Sequence, residues 1–316
     1  MNFSILATGG IAESIARDTL SKMSGISPYA VASRSLDRAE AFAEKWGFEK
    51  AYGSYEELAA DPQAGLIYIA TPNTMHFANA KLCLEHGRHV LLEKPFTMNA
   101  AEARELIALS EEKNLLLAEA IWTRYLPGSK KLEELLAQDT IGRITAVDAS
   151  LGNPVTFLPR LVEPELGGGA ILDLGIYVLQ FMRMAIKEEI TGISSAAVFT
   201  DRGLDASNTT ILTYKNGAVA TLQSSMTSRY ANNGIIYGEK GILEMENINT
   251  GEGLCLRDCA GNLIERYETP REITGYEYEI RACAKAIAGG SFECPEVPHS
   301  ETLLVMELMD HIRECW

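Results

Sequence analysis

Lys94 closes the run "HVLLEKPF" (89–96), where an apolar stretch gives way to two opposite charges and a proline. Packing alone has little use for that order. An ammonium held on a proline-stiffened turn can instead bind a hydroxyl or carbonyl oxygen and stabilise negative charge on it, with Glu93 pairing to a neighbour and setting the turn. A second set of candidates lies in "GGGAILDLGIYVLQFM" (167–182), apolar almost throughout except at Asp173, Tyr177 and Gln180. Spacings of four and three put these three on one helical face. Burying a carboxylate and a phenol is costly unless each finds a partner, so the stripe either lines a cavity or forms a self-satisfied seam between helices. Gly167, Gly168 and Gly169 allow close backbone approach where that helix begins.

The elements that must position these groups fall into two patterns. Up to about residue 120, short apolar runs alternate with amphipathic segments, the signature of a parallel sheet wrapped by helices. Strands are expected at 3–7, 29–33, 65–70, 89–93 and 115–119. Ser54 with Glu57, and Asn99 with Glu102, have capping-box spacing, and Gly87 is the left-handed stop of a helix opening near Thr74. Lys94 therefore sits at the carboxyl end of a strand, facing the ligand crevice of such a sheet. Farther on, "TILTYKNGAVATLQ" (210–223) reads as a hairpin about Asn216-Gly217, and residues 143–268 read as a mainly antiparallel sheet. Helices at 127–138, 165–186, 272–288 and 300–314 are expected to cover one face of it, leaving the other for a partner subunit. The fold class is thus α/β: a parallel-sheet domain (1–121) followed by an α+β domain (122–316) with an open, mainly antiparallel sheet.

The first strand runs into "ATGGIAESIA" (7–16), where Ala7, Gly9 and Ala12 keep the 0, 2, 5 spacing of the dinucleotide fingerprint. A tight turn followed by a helix start receives a pyrophosphate on free amides, so Ala7, Gly9, Gly10, Ile11 and Ala12 are the candidate phosphate-binding residues. Alanine replaces the first glycine. At the end of the second strand, where an acid would hold the ribose hydroxyls of NAD, stand Ser33 and Arg34, with Arg38 one turn on. A hydroxyl and guanidinium groups suit a 2′-phosphate, favouring NADP over NAD; the alternative is that both arginines are solvated at a helix start. "TPNTMH" (71–76) follows the third expected strand, so Thr71, Pro72 and Asn73 shape the turn beside the cofactor. His76 is read as structural more than catalytic, though within reach of the cofactor, as are Glu93 and Lys94.

A chain of 316 residues is long enough for two domains, each with its own core. Its net charge of -15 opposes nucleic acid as a partner. No apolar run is long enough to span a membrane, and the first residues lack the basic flank of a signal peptide, so a cytoplasmic location is expected. Six cysteines (83, 255, 259, 283, 294, 315) are scattered without a C-x-x-C pair and are read as free buried thiols, a metal or disulfide being the alternative, and the histidines add no metal site.

Together "EKPFTMNAAEA" (93–103), "EAIWTRYLP" (119–127) and "GGGAILDLGIYVLQ" (167–180), with "SRSLDRAEAFAEKWG" (33–47) and "ATPNTMH" (70–76), resemble the Gfo/Idh/MocA oxidoreductases over essentially the full chain. Within that family the likeness is to the branch of dimeric dihydrodiol dehydrogenase and NADP-dependent D-xylose dehydrogenase. The resemblance implies an N-terminal Rossmann domain (1–121) and a C-terminal domain (122–316) for substrate binding and dimerisation, whose open sheet pairs two subunits and whose last helix can pack back on the first domain. It also implies an active site between the two, Lys94 as the catalytic lysine, and a cis bond before Pro95. Many relatives carry histidine four residues after the aspartate; Tyr177 stands there, as in the branch where a tyrosine is the acid/base. The implied reaction is reversible hydride transfer between nicotinamide C4 and the hydroxyl-bearing carbon of a sugar, polyol or cyclic trans-diol. Tyr177 would move the hydroxyl proton, eased by the Lys94 ammonium, and Asp173 would orient the substrate or the lysine. Trp122 and Arg124 are candidates for the pocket wall or for packing between domains. Two rivals are a non-catalytic NAD(P)-binding regulator or scaffold, which would have lost the lysine or the acid/base, and a reductase of a pigment or imine, which would dispense with Asp173 and Tyr177.

Overall fold

Strands buried on both faces need helices on both sides, and the first sheet is built of them. In the computed structural model, which describes all 316 residues, β1 (Asn2–Leu6), β2 (Ser27–Ala32), β3 (Lys50–Tyr52), β4 (Leu66–Ile69), β5 (His89–Glu93) and β6 (Leu117–Ala120) form one sheet. Its order is β3-β2-β1-β4-β5-β6 and every pair is parallel. This is the doubly wound arrangement, reversing direction between β1 and β4. The connecting helices are α1 (Gly10–Ser14), α2 (Leu36–Trp46), α3 (Tyr55–Ala60), α4 (His76–Glu85) and α5 (Ala100–Lys113). Ser54 and Asn99 cap α3 and α5 by accepting the amides of Glu57 and Glu102. The returning glutamates accept the amides of Gly53 and Met98, one residue before each cap. Gly87 ends the α4 segment at φ +78. β3 had no counterpart in the sequence reading, because three half-buried residues make no periodic signal. The segment after the fingerprint is also less regular than expected: α1 passes into a π-turn at Ile15–Thr19 and a 3-10 turn at Leu20–Lys22.

The second sheet comprises β7 (Ile144–Gly152), β8 (Ile190–Phe199), β9 (Asp205–Tyr214), β10 (Val219–Ser225), β11 (Gly234–Gly238), β12 (Ile242–Asn247), β13 (Glu252–Arg257) and β14 (Leu263–Tyr267). Its order is β14-β13-β12-β11-β7-β10-β9-β8, and only β7 with β10 runs parallel. Burial alternates along β9: Asn208, Thr210, Leu212 and Tyr214 point inward, while Thr209, Ile211 and Thr213 are exposed. The inner face is covered by α6 (Pro127–Ala137) and α8 (Ile176–Ala185); a short α7 (Pro159–Val162) was not foreseen. The expected hairpin forms, but its loop, Lys215 to Ala218, uses only Gly217 in a left-handed conformation. Asn216 acts through its side chain, accepting the Ala218 amide at 3.0 Å.

Two further helices complete the chain, α9 (Tyr276–Ala288) and α10 (His299–Glu314). The chain divides into two compact units, Met1–Trp122 with Glu272–Met306, and Thr123–Arg271 with Glu307–Trp316. Helix α9 therefore packs on β5 of the parallel sheet, not over the antiparallel one as its place in the chain suggests. No helix is long and apolar enough to cross a membrane. Of the six cysteines expected to be buried, Cys259 and Cys315 are instead exposed, the one in a surface turn and the other at the end of the last helix.

Candidate active site and cofactor cleft

The end of β1 opens a cleft of about 450 Å³ lined by Ala7, Thr8, Gly9, Ser33, Arg34, Ser35, Arg38, Tyr55, Ala70 and Pro72. Its floor is shaped by backbone geometry. Ala7 takes φ +98, a conformation that suits glycine, with its amide held by the Ala32 carbonyl at 3.0 Å. Gly9 precedes α1, and a Cβ built on Gly9 or Gly10 would meet nothing within 4 Å, so the helix start faces open space. A dinucleotide phosphate fits this glycine cradle. Beyond the end of β2, Ser33 accepts the Ser35 amide at 3.4 Å, and the exposed Arg34 and Arg38 supply the cationic wall. Tyr55 forms another part of the wall; burial raises its hydroxyl pKa, against the opposing pull of Arg34. Ala12 is fully buried and packs under the turn, and Ile11 is half-buried. Thr8, Ser35, Tyr55 and Ala70 were not singled out by sequence; Tyr55 opens a helix on the far side of β3, and no local pattern marks it.

In the same unit, Lys94 follows β5 on a turn with a cis Lys94–Pro95 bond. The turn is held from several sides. Glu93 accepts the Lys94 amide through Oε2 at 3.1 Å and the Tyr68 hydroxyl through Oε1. The His76 ring is wholly enclosed, with Nδ1 2.7 Å from the Pro95 oxygen and Nε2 3.0 Å from the Thr71 oxygen. Burial pushes the His76 pKa down to about 4, so at neutral pH the ring is uncharged and donates through one nitrogen only. Both neighbours are carbonyl acceptors, so the neutral ring can donate to only one of them; His76 is packed between the Lys94 turn and the Thr71 turn with both ring nitrogens enclosed. Thr71 is fixed further by accepting from Asn79 at 3.1 Å. Pro72 borders the cleft, and Asn73 begins the short turn that leads into α4. Trp122 stacks on Tyr276 with ring centroids 4.8 Å apart.

In the second unit the glycine run behaves as its composition suggests. Gly167 ends a short turn at φ +76; a Cβ on Gly168 would lie 2.4 Å from the Leu161 oxygen, and one on Gly169 2.4 Å from Asp205 Oδ1. Asp205 accepts the Ile171 amide at 2.8 Å, anchoring the helix that follows; burial pushes its pKa up to about 6 despite that bond. The helix opens with a π-turn, Ile171–Gly175, and only then becomes α8. Single π-turns inside helices gather at functional sites. Asp173 lies in this turn, 5% exposed, and is paired with Arg160 of α7 at 2.5 Å. Tyr177 follows at the start of α8, 8% exposed. The third member of the stripe has a structural role: Gln180 accepts from Arg124 at 3.0 Å, and Arg124 also reaches Glu133 at 3.0 Å. Arg124, 3% exposed, is thereby a clamp inside this unit. Arg160 escaped sequence reading because its partner is 13 residues away across an irregular segment.

Residues 1–120 match the description "Oxidoreductase family, NAD-binding Rossmann fold", and residues 129–244 match the Gfo/Idh/MocA C-terminal domain. The trans-1,2-dihydrobenzene-1,2-diol dehydrogenase of Mus musculus is 35% identical over 296 residues, 90% of this chain and 87% of that one. The chain belongs to the Gfo/Idh/MocA oxidoreductases. The Homo sapiens enzyme of the same name is likewise 35% identical, over 299 residues. Among solved structures, the aldose-aldose oxidoreductase from Caulobacter crescentus complexed with glycerol covers this Gfo/Idh/MocA chain completely, 97% of its own length being matched, with TM-score 0.88 at 20% identity. A 3-ketoreductase from Actinomadura kijaniata, in complex with NADP and TDP-benzene, superposes with TM-score 0.87 at 25% identity, covering 99% of this chain and 97% of that one. Levoglucosan dehydrogenase in complex with NADH gives 0.86 at 19% identity. The expected fold and family are thereby established, and this Gfo/Idh/MocA protein is an NAD(P)-binding oxidoreductase.

Proposed function

We propose that the protein is an NADP-preferring dehydrogenase or reductase acting on a hydroxyl-bearing carbon of a cyclic trans-diol, polyol or sugar. The observation that carries the reading is its likeness over 90% of its length to enzymes named for a dihydrodiol substrate. The cofactor preference is supported by Arg34 and Arg38 at the cleft mouth, where a 2′-phosphate would find charge-assisted partners. When bound, the nicotinamide supplies the hydride chemistry. The chain's own residues do the rest. Lys94, on its braced turn, holds the reacting oxygen and favours negative charge there. Tyr177 takes or returns the hydroxyl proton. Asp173, fixed by Arg160, orients the substrate hydroxyls. Two copies pair through the uncovered face of the second sheet, where Ile211 and Val219 are among the exposed apolar residues.

The test is spectrophotometric: purified protein with NADP or NAD is offered cyclic trans-diols, inositols and aldoses, and reduced cofactor is read by absorbance. Turnover of a diol or sugar, with NADP preferred and with Lys94→Ala and Tyr177→Phe each losing most of it, is the expected result. Near wild-type turnover in both variants would overturn the role assignment. Sedimentation of the wild-type protein and of Ile211→Asp decides the pairing.

A further inference from the structure

Helix α9 carries two glutamates of opposite fate. Glu277 and Glu279 are both fully buried. Glu277 accepts the amides of Ile273, Thr274 and Gly275 at 2.9, 3.0 and 2.7 Å. Burial alone would raise its pKa, but these amides outweigh it and hold the carboxylate ionised. Two residues on, neither oxygen of Glu279 has a hydrogen-bond partner. The titratable groups bearing on it are Glu93 at the end of β5, Cys294, and Glu277, all acidic. Tyr68 of β4 feels both Glu93 and Glu279, and Cys283, one turn along α9, lies 3.9 Å from Cys294 sulfur to sulfur. No cation answers Glu279.

Glu93 and Glu279 are thus two carboxyl groups in one buried neighbourhood with unequal support. Glu93 receives the Tyr68 hydroxyl and the Lys94 amide; Glu279 receives nothing. Like charges in a buried site do not ionise together, and the carboxyl given donors keeps the charge. We propose that Glu279 is a positioning residue for the Lys94 turn: it retains its proton, so that the pair's single negative charge stays on the Glu93 carboxylate that grips the Lys94 amide. Burial acts in the same direction, raising the Glu279 pKa well above its ordinary value. Were Glu279 to ionise, Glu93 would have to take up a proton or move, and its charge-assisted hold on the turn would weaken. Glu279 contacts neither substrate nor cofactor in this account; it acts through Glu93. The inference rests on the proposed role of Lys94.

Two measurements test it. In wild-type protein with carbon-13 at the glutamate carboxyls, one carboxyl is expected to stay unshifted through the ordinary glutamate titration range, and that signal should vanish in Glu279→Gln. The raised pKa also sets a sign. Stability due to the neutral carboxyl is complete below the unfolded pKa and declines as pH rises toward the folded one, by about tenfold in the folding equilibrium constant per pH unit. The folding constant of Glu279→Gln relative to wild type should therefore rise with pH above the ordinary glutamate range, by about tenfold per pH unit until the raised folded pKa is reached. At pH 7 the variant should keep kcat/KM within about twofold, and at alkaline pH it should hold activity beyond the point where wild type declines. A flat stability ratio, or a tenfold loss of kcat/KM at pH 7 with the fold intact, would overturn the proposal, as would superimposable pH profiles. If Lys94→Ala is itself fully active, the reading of the active site fails, while the carboxyl titration and stability ratio still decide the state of Glu279.

Discussion

Replacing Ala7 by glycine should stabilise the first unit, against the usual expectation that glycine loosens a chain. Ala7 is held at φ +98 by the turn that joins β1 to the cofactor cleft. A side chain kept in that region costs on the order of 1–3 kcal/mol. Glycine removes the cost but gains freedom in the unfolded chain, which returns about 0.4–1 kcal/mol. The net gain is therefore about 1 kcal/mol, because the amide bond from Ala7 to the Ala32 carbonyl involves only backbone and survives the change. With a urea dependence of roughly 1–3 kcal/mol per molar, the unfolding midpoint should rise by about 0.3–1 M. Fluorescence of Trp46 and Trp122, both in the first unit, reports the transition once Trp316 of the second unit is replaced by phenylalanine. Ala7→Val should shift the midpoint the other way, since a β-branched side chain tolerates positive φ least. An unchanged or lowered midpoint for Ala7→Gly would refute the claim that this turn is strained.

Arg34→Ala and Arg38→Ala should each raise KM for NADP by about 10–100-fold while leaving NAD almost unaffected, since a bond to a charged group is worth about 1.5–3 kcal/mol; equal losses with both cofactors would refute a 2′-phosphate contact. Arg160→Ala should lower kcat/KM about tenfold by releasing Asp173, and Arg160→Lys should restore much of it, as steady-state kinetics will show. Asp61 accepts from Tyr29, Tyr52, Lys50 and the Gln63 amide at 2.8, 2.6, 2.9 and 2.9 Å. Burial works to raise its pKa, yet these bonds outweigh burial and lower it. Its stabilisation is accordingly present above the unfolded pKa and lost as pH falls toward the depressed folded value. Asp61→Asn should cost on the order of 2 kcal/mol at pH 7, a gap in urea midpoint that closes below about pH 4.

The features legible in the sequence were those whose cause is local. The strand His89–Glu93 announced itself through three consecutive apolar residues and a charged end, and Lys94 followed from it. Ser54 and Asn99 reach amides only three residues away. Ser33 and Arg34 stand where the strand-and-helix rhythm puts them, at the cleft. What could not be read depends on distant partners. The π-turn before Tyr177 is anchored by Asp205, 34 residues on. Gln180 belongs to a seam because Arg124, 56 residues back, meets it. Glu279, within the alternation "YEYEI", resembles a solvated helical charge; only the placing of α9 on β5 makes it a core residue.

The wide turn at Ile171–Gly175 also separates two design variables that a uniform helix would lock together. Each residue in a helix advances the bearing of its neighbours by about 100°, so a one-codon deletion among the apolar members of this turn would swing Tyr177 around the axis without altering Asp173 or either side chain. A change of length at this turn would therefore re-aim the phenol while leaving both side chains as they are.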